Sequence, residues 1–393
     1  MTSSTTHKPT PVAPADEVFM DRALDLASQG IALASPNPLV GAVIVRDGRV
    51  VGEGFHTYGG VRHAEIVALA TARESARGAT LYINLEPCCH TGRTGPCTNA
   101  LIAAGVARVV AAMADPNPAV AGRGFRQLRA AGIEVSTGLR EAEAKQTNEA
   151  FARWIISRKP LVTLKSALTL DGQLVLPQSK SGPLKRAPDS QRNRWISSPE
   201  SRAEVQRMRH ASDALLTGIG TVLIDNPLLT DRTGLPRRRK LLRVVMDSRL
   251  RLPLRSKLVR SADGDLLVFT RVQADSPKAR ALRRAGVDVV RLTGRGTKPD
   301  LPNAIAELGR REMLSVMLEA GAILNSAALA AGIVDKIRIF YAPKVSGSAA
   351  KRSGDGSANA SPRAVQELTN ISIEAFGPDF AIEGYLHDVY RTR

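Results

Sequence analysis

The sequence predicts two α/β domains in one chain, and three observations carry that expectation. Short apolar runs alternate with segments of helical periodicity through nearly the whole length, as strands do when helices are layered on them. With 393 residues the chain exceeds what a single core comfortably holds. A fresh apolar run begins at Leu161, directly after Arg158-Lys159-Pro160, and marks the boundary. The division is therefore a Thr-, Ser- and Pro-rich tail at 1–15, expected to be disordered, a domain at 16–158 and a second at 159–393.

In the first domain Asp16 is the expected cap of a helix at 17–29, on which Phe19, Met20, Ala23, Leu24 and Ala27 share a face. Pro36-Asn37-Pro38 turns the chain into an apolar strand at 39–45, which reverses at Asp47-Gly48 into a partner strand. His63 opens a helix through Ile66, Val67, Leu69 and Ala70 that ends near Gly78, and a strand at 79–85 delivers Glu86-Pro87-Cys88. Helices at 98–104, 122–131 and 140–156 and strands at 108–113 and 133–135 complete the pattern.

The second domain is expected to place strands at 161–167, 214–217, 242–246, 266–269, 287–292, 315–318 and 336–342. Its helices fall at 198–209, 277–285, 303–311 and after Gly321. The segments 174–194, 218–232 and 346–361 read as loops, and the basic run 237–240 as a solvated one. No internal repeat is present.

Composition narrows the function classes. Hydrophobic residues make up 43% and charged residues 23%, ordinary values for a soluble globular protein. No apolar stretch approaches the roughly 18 residues that span a bilayer, and the N-terminus lacks a signal core, so a cytoplasmic protein without a membrane partner is expected. Net charge is +18, but residues 16–158 hold 15 basic against 14 acidic side chains, while 159–393 hold 39 against 23. A site working on nucleic acid needs its basic charge nearby, so nucleic acid is not the expected partner of the first domain.

The chemistry is concentrated in the first domain. The three cysteines, Cys88, Cys89 and Cys97, lie in one ten-residue window, too close for a disulfide framework and suited to a metal in a reducing compartment. His63-Ala64-Glu65 stands 25 residues before Cys88. One imidazole and two thiolates leave the fourth corner of a tetrahedral zinc free for water, whose pKa the metal lowers toward about 7. Glu65, not itself a ligand, is placed to carry protons. Two other readings stay open: a closed structural zinc that recruits Cys89 or His90, and a basic RNA-associated protein built around such a site. The second domain has no Gly-x-Gly-x-x-Gly after a strand, so a Rossmann site is not expected. A phosphorylated cofactor can still be held by Arg, Thr, Ser and backbone amides.

His-x-Glu followed by Pro-Cys is the general pattern of zinc nucleoside and nucleobase deaminases, but the second cysteine here follows at x8 rather than x2. That run, Pro87-Cys88-Cys89-His90-Thr91-Gly92-Arg93-Thr94-Gly95-Pro96-Cys97, joins Pro36-Asn37-Pro38, Leu85-Glu86-Pro87-Cys88, Ala104-Gly105-Val106 and Asp115-Pro116-Asn117-Pro118. Together they resemble the deaminase domain of the bifunctional riboflavin-biosynthesis deaminase-reductases. Lys165 to Gly172, Trp195-Ile196-Ser197-Ser198, Gly220 to Leu223, Asp225 to Thr230 with Arg232, Val245 to Ser248 and Ala342-Pro343-Lys344 resemble the reductase domain of the same family.

The resemblance implies a cytidine-deaminase-like three-layer α/β/α domain followed by a dihydrofolate-reductase-like α/β domain that uses NADPH. It implies zinc on His63, Cys88 and Cys97 with Glu65 as proton carrier, and substrate contacts at Asn37, His90 and Arg93. In the second domain it implies NADPH contacts at Ala167, Trp195, Thr221, Asp225, Ser248 and Gly321. Substrate contacts follow there at Lys165, Asn193, Arg209, Leu229, Arg232 and Glu319. The implied reactions convert 2,5-diamino-6-(5-phosphoribosylamino)pyrimidin-4(3H)-one to 5-amino-6-(5-phosphoribosylamino)uracil, then reduce the ribosyl chain to ribityl, in a homo-oligomer acting on small phosphorylated pyrimidines. A deaminase with a non-catalytic reductase-like half is the alternative. This chain departs from the family pattern at Cys89, Gly95, Asn193 and Glu319-Ala320-Gly321-Ala322-Ile323-Leu324.

Overall fold

A computed structural model describes residues 14–92, 95–174, 196–293, 300–345 and 366–391. The chain divides into two compact units. One is Met1–Ser157 with Pro236–Arg238 and Tyr390–Arg393, and the other is Arg158–Leu235 with Arg239–Val389.

The first unit runs α1 (Pro14–Ser28), β1 (Gly41–Arg46), β2 (Arg49–Phe55), α2 (Ala64–Ala72), β3 (Thr80–Leu85), α3 (Cys97–Ala103), β4 (Arg108–Met113), α4 (Arg123–Ala130), β5 (Glu134–Thr137) and α5 (Glu141–Ser157). Its sheet has the order β2-β1-β3-β4-β5. The β1–β2 and β1–β3 pairs are antiparallel, and β3–β4 and β4–β5 parallel. The three central strands, β1, β3 and β4, are buried on both faces, and the period of two sorts their side chains into two cores. Ala42, Ile44, Leu81, Ile83, Val109 and Ala111 face Ala64, Ala68 and Leu101 of α2 and α3 and Phe125 and Leu128 of α4. Val43, Val45, Tyr82, Val110 and Ala112 face Met20, Ala23 and Leu26 of α1 and Ala144 of α5. This is the expected three-layer α/β/α arrangement.

Helix-on-strand contact is unusually close. A Cβ on Gly54 would stand 2.6 Å from the Ala64 carbonyl oxygen, and one on Gly52 would overlap that of Ala68. Gly41 meets the Ala23 carbonyl in the same way. The glycines of β1 and β2 therefore let the backbones of α1 and α2 lie directly on the sheet, which fixes the height of His63 at the start of α2.

The second unit runs β6 (Leu161–Thr169), α6 (Pro199–Ala211), β7 (Ala214–Gly218), α7 (Ile219–Asp225), β8 (Leu242–Met246), α8 (Lys257–Arg260), β9 (Leu266–Thr270), α9 (Pro277–Arg284), β10 (Val287–Arg291), α10 (Leu301–Arg310), β11 (Ser315–Leu318), α11 (Ala322–Ala330), β12 (Lys336–Ala342), β13 (Thr369–Phe376) and β14 (Asp379–Tyr385). The sheet order is β10-β9-β8-β7-β11-β6-β12-β14-β13. Pairs from β10 to β12 are parallel, while β14 is antiparallel to both its neighbours. One face packs on α10 and α11 and the other on α6 to α9. Among the described residues no helix is long and apolar enough to cross a membrane.

Several expectations are corrected. Asp16 lies inside α1 rather than capping it, and its carboxylate takes bonds from Tyr82 Oη (2.5 Å) and both terminal nitrogens of Arg108 (3.0 Å each). The segment 218–232 is not all loop, because Ile219 and Val222 have core to bury and close the short helix α7. The helix α8 and the hairpin β13–β14 were not anticipated. The basic run is not freely solvated either. Arg238, within the first unit, lies 4.1 Å over the Tyr58 ring, Arg239 pairs with Asp213 (3.2 Å) and Lys240 with Asp263.

Gly54→Ala is expected to destabilise the first unit by about 1–3 kcal/mol, because the added methyl meets a main-chain carbonyl rather than a yielding side chain. Urea denaturation of the parent and the variant, followed by circular dichroism, measures it.

Candidate active sites

Three segments meet in the first unit. His63 is the extended residue that begins α2, Cys88 follows β3 in a loop, and Cys97 is the first residue of α3. His63 Nδ1 lies 3.2 Å from Cys97 Sγ and 3.4 Å from Cys88 Sγ, and the three donor atoms all fall within 4.8 Å of one another. Tetrahedral zinc with Zn–N and Zn–S bonds of about 2.1 and 2.3 Å separates its ligands by roughly 3.5 Å, so the residues fit the ion. Among the described residues Cys89 and His90 stand outside this group, which argues against the closed four-ligand site.

The electrostatics suit a cation. Cys88 accepts from the Cys97 thiol, from His63 and from the Cys97 backbone N–H at the start of α3, and is drawn down to about 4. The same shared proton, together with burial, pushes Cys97 up, and the Cys88 sulfur raises His63. A divalent ion replaces both protons in such a site. Glu65, 3% exposed, sits in the first turn of α2. Burial first, and then the Cys88 charge, push its carboxyl up to about 7, so it can hold or release a proton near neutrality.

Asn37 is brought to the same place through a residue that sequence reasoning missed. His56 Nδ1 lies 3.0 Å from the Arg62 carbonyl oxygen, which can only accept, so the ring carries its proton there. Nε2 then accepts from Asn37 Nδ2 at 2.9 Å, leaving the amide oxygen of Asn37 outside that bond. The His56 ring also packs edge-on against His63, centroids 5.4 Å apart. A lone histidine closing a strand carries no periodic signal. His90 is exposed in the Cys88–Cys97 loop, and Arg93 lies outside the described residues.

In the second unit Lys165 of β6, Arg209 of α6 and Glu319 after β11 converge. Glu319 Oε1 accepts from Lys165 Nζ at 3.2 Å, and Oε2 from Arg209 Nη2 at 2.8 Å. Burial alone would raise this carboxyl, but the two cations reverse that and hold it at about 2. Arg209 Nη1 also donates to the Thr230 carbonyl (3.1 Å), Gln206 accepts the Arg232 N–H (3.0 Å), and His210 Nδ1 pairs with Asp231 (2.8 Å). The last turns of α6 thus anchor the loop that carries Leu229 and Arg232. His210 and Asp231 were missed, being one ordinary pair in a basic sequence. Leu229 buries its side chain in the core with a left-handed backbone, so its main chain is the part that can face a ligand.

Thr221, Asp225, Ser248 and Gly321 lie on segments that follow β7, β8 and β11, at the C-terminal ends of parallel strands, where open α/β sheets bind ligands. Cβ atoms built on Gly220 and Gly321 meet nothing within 4 Å. Thr217 Oγ1 and Asp247 Oδ1 are buried there without a partner among the described residues. This open, polar-lined edge fits a dinucleotide cofactor. Ala167 lies two residues beyond Lys165 on β6, paired with Phe340. Trp195 and Asn193 fall outside the described residues.

A three-donor zinc cradle with a buried carboxyl, joined to a dihydrofolate-reductase-like sheet, defines a two-domain enzyme with a zinc-dependent deaminase and an NADPH-dependent reductase. Residues 14–113 match the cytidine and deoxycytidylate deaminase zinc-binding region, and 160–382 the RibD C-terminal domain. The riboflavin biosynthesis protein RibD of Actinobacillus pleuropneumoniae is 40% identical over 366 residues, 93% of this chain and 94% of that protein. RibD of Escherichia coli strain K12 is 42% identical over 350 residues, 86% and 90% of the two chains. The structure of Acinetobacter baumannii RibD superposes with a TM-score of 0.79 at 33% identity, covering 94% of this chain and 98% of that one. The diaminohydroxyphosphoribosylaminopyrimidine deaminase/5-amino-6-(5-phosphoribosylamino)uracil reductase of Thermotoga maritima gives 0.76 at 34%, with the same coverage. The chain belongs to the RibD family of bifunctional riboflavin-biosynthesis deaminase-reductases.

Two outcomes follow. Cys89→Ser should leave the zinc content of the purified protein unchanged, as read by atomic absorption. Glu319 has a folded pKa below its unfolded value near 4.5, so its stabilisation is present above about pH 4.5 and is lost as pH falls toward 2. The stability gap between the parent and Glu319→Gln should therefore be widest above pH 4.5 and narrow below it, in urea titrations at stepped pH.

Proposed function

We propose that the first unit deaminates 2,5-diamino-6-(5-phosphoribosylamino)pyrimidin-4(3H)-one and that the second reduces the ribosyl chain of the product to ribityl. The observation that carries this reading is the convergence of His63 Nδ1, Cys88 Sγ and Cys97 Sγ beside the buried Glu65. His63, Cys88 and Cys97 hold the metal, and zinc, when bound, supplies a Lewis acid that makes water nucleophilic near neutral pH. Glu65 takes a proton from the attacking water, passes it to the ring nitrogen, and assists the departure of ammonia as the C–N bond breaks. Asn37, oriented by His56, accepts from a pyrimidine N–H, and His90 and Arg93 meet the ribose phosphate.

In the second unit NADPH, when bound, supplies the hydride. Ala167, Trp195, Thr221, Asp225, Ser248 and Gly321 bind and orient it. Glu319 keeps the Lys165 ammonium in place as a proton donor at the opened sugar, and Arg209, Arg232, Leu229 and Asn193 line the substrate. We also take the enzyme to be a cytoplasmic homo-oligomer acting on free nucleotides rather than on nucleic acid. The near-neutral charge of 16–158 supports the last point, as does the pairing of Arg243, Arg311 and Arg338 with acids in the second unit.

Glu65→Gln should lower ammonia release by about 10²–10⁴-fold while zinc stays bound and NADPH oxidation with the deaminated substrate continues. Ammonia assay, metal content and absorbance at the NADPH band, taken on one preparation, read all three. Ammonia release at the parental rate would remove Glu65 from the mechanism.

A further inference from the structure

One buried carboxylate beside the metal centre takes no part in the chemistry above. Glu86 directly follows β3, two residues before Cys88, and is 3% exposed. Its Oε1 accepts the backbone N–H groups of Gly124 (2.8 Å) and Phe125 (3.3 Å), and its Oε2 those of Gly122 (2.8 Å) and Asp115 (3.1 Å). Three of these amides belong to Gly122, the residue before α4, and to the first turn of that helix, which has no side-chain cap of its own. Gly124 also lets that turn rest on the loop to Cys88, since a Cβ there would overlap the Pro87 carbonyl oxygen. One turn further on, α4 also braces the segment of the other cysteine. Gln127 Oε1 accepts the Thr98 hydroxyl at 2.9 Å, and the Thr98 backbone N–H donates to the Cys88 carbonyl at 3.2 Å.

We infer that Glu86 is a positioning residue of the metal centre, locking α4 against the Pro87–Cys88 turn so that Cys88 and Cys97 stay at ligand spacing. The inference rests on the assignment of His63, Cys88 and Cys97 as ligands. Four N–H donors need an acceptor-only group, and a carboxylate satisfies all of them. Glutamine of the same shape keeps one oxygen and turns an NH₂ toward two N–H donors, so half of the cap becomes repulsive. Residues that orient metal ligands from behind typically change metal affinity or activity by about 10–100-fold.

The test uses full-length protein loaded with zinc. Glu86→Gln and Gly124→Ala should each release zinc to a chelator about 10–100-fold faster than the parent. Each should also shift the thiolate-to-metal absorption of the cobalt-substituted protein, with NADPH reduction retained. Asp16→Asn, which breaks a buried network on the opposite face of the same sheet, is the control for general loosening. It should lower the melting temperature without moving the release rate or the spectrum. The inference is overturned if Glu86→Gln and Gly124→Ala keep the parental release rate and spectrum. It is also overturned if Asp16→Asn, at an equal loss of melting temperature, accelerates release as much. If Glu86→Gln yields no soluble protein, Gly124→Ala decides. A parent without zinc, or Cys88→Ser and Cys97→Ser variants that retain it, would instead remove the ligand assignment.

Discussion

Everything at the deaminase centre depends on bringing one ring nitrogen to 3.2–3.4 Å from two sulfurs, the three donors coming from separate segments. Burying such donors is unfavourable unless they share a proton or a cation, and each segment must be held against that cost. The sheet does this by backbone contact. The glycines of β2 seat α2 and place His63, while α3 starts at Cys97 and turns its first amide onto Cys88. The site is thus the meeting of two helix starts and a strand end, an arrangement that also favours thiolate over thiol.

The second unit is organised by charge rather than by metal. Glu319 is the hub of a half-buried cluster, and replacing it leaves Lys165 and Arg209 without their shared partner. Arg209 reaches on to Thr230, so the hub also bears on the loop that carries Leu229 and Arg232. Some of the basic residues of this half serve internal pairing rather than the surface. Arg243, 1% exposed in its side chain, is paired with Asp265 and bonded to Ser261.

Much of this was legible in the residues. Strands such as Arg108–Met113 and Leu242–Met246 stand where their apolar runs lie, because a strand buried on both faces is apolar along most of its length. The metal donors were legible because cysteine is scarce here and its spacing is chemically constrained. What escaped depends on tertiary partners. The hairpin β13–β14 is an exception, since Asn370-Ile371-Ser372-Ile373-Glu374-Ala375 alternates as a strand does although β13 is exposed along nearly all of its length. Asp16 has the composition of a cap and the environment of a buried anion. His56, His210 and Asp231 owe their roles to neighbours distant in sequence.

The glycines under α1 and α2 carry an evolutionary consequence. Where a bulky side chain is blocked by another side chain, a second substitution can trim the obstacle and restore room. At Gly41, Gly52 and Gly54 the obstacle is a peptide carbonyl, which every amino acid possesses. No compensating replacement in the helix can clear it, so these positions can change only if the whole helix moves, and at Gly52 and Gly54 His63 would move with it.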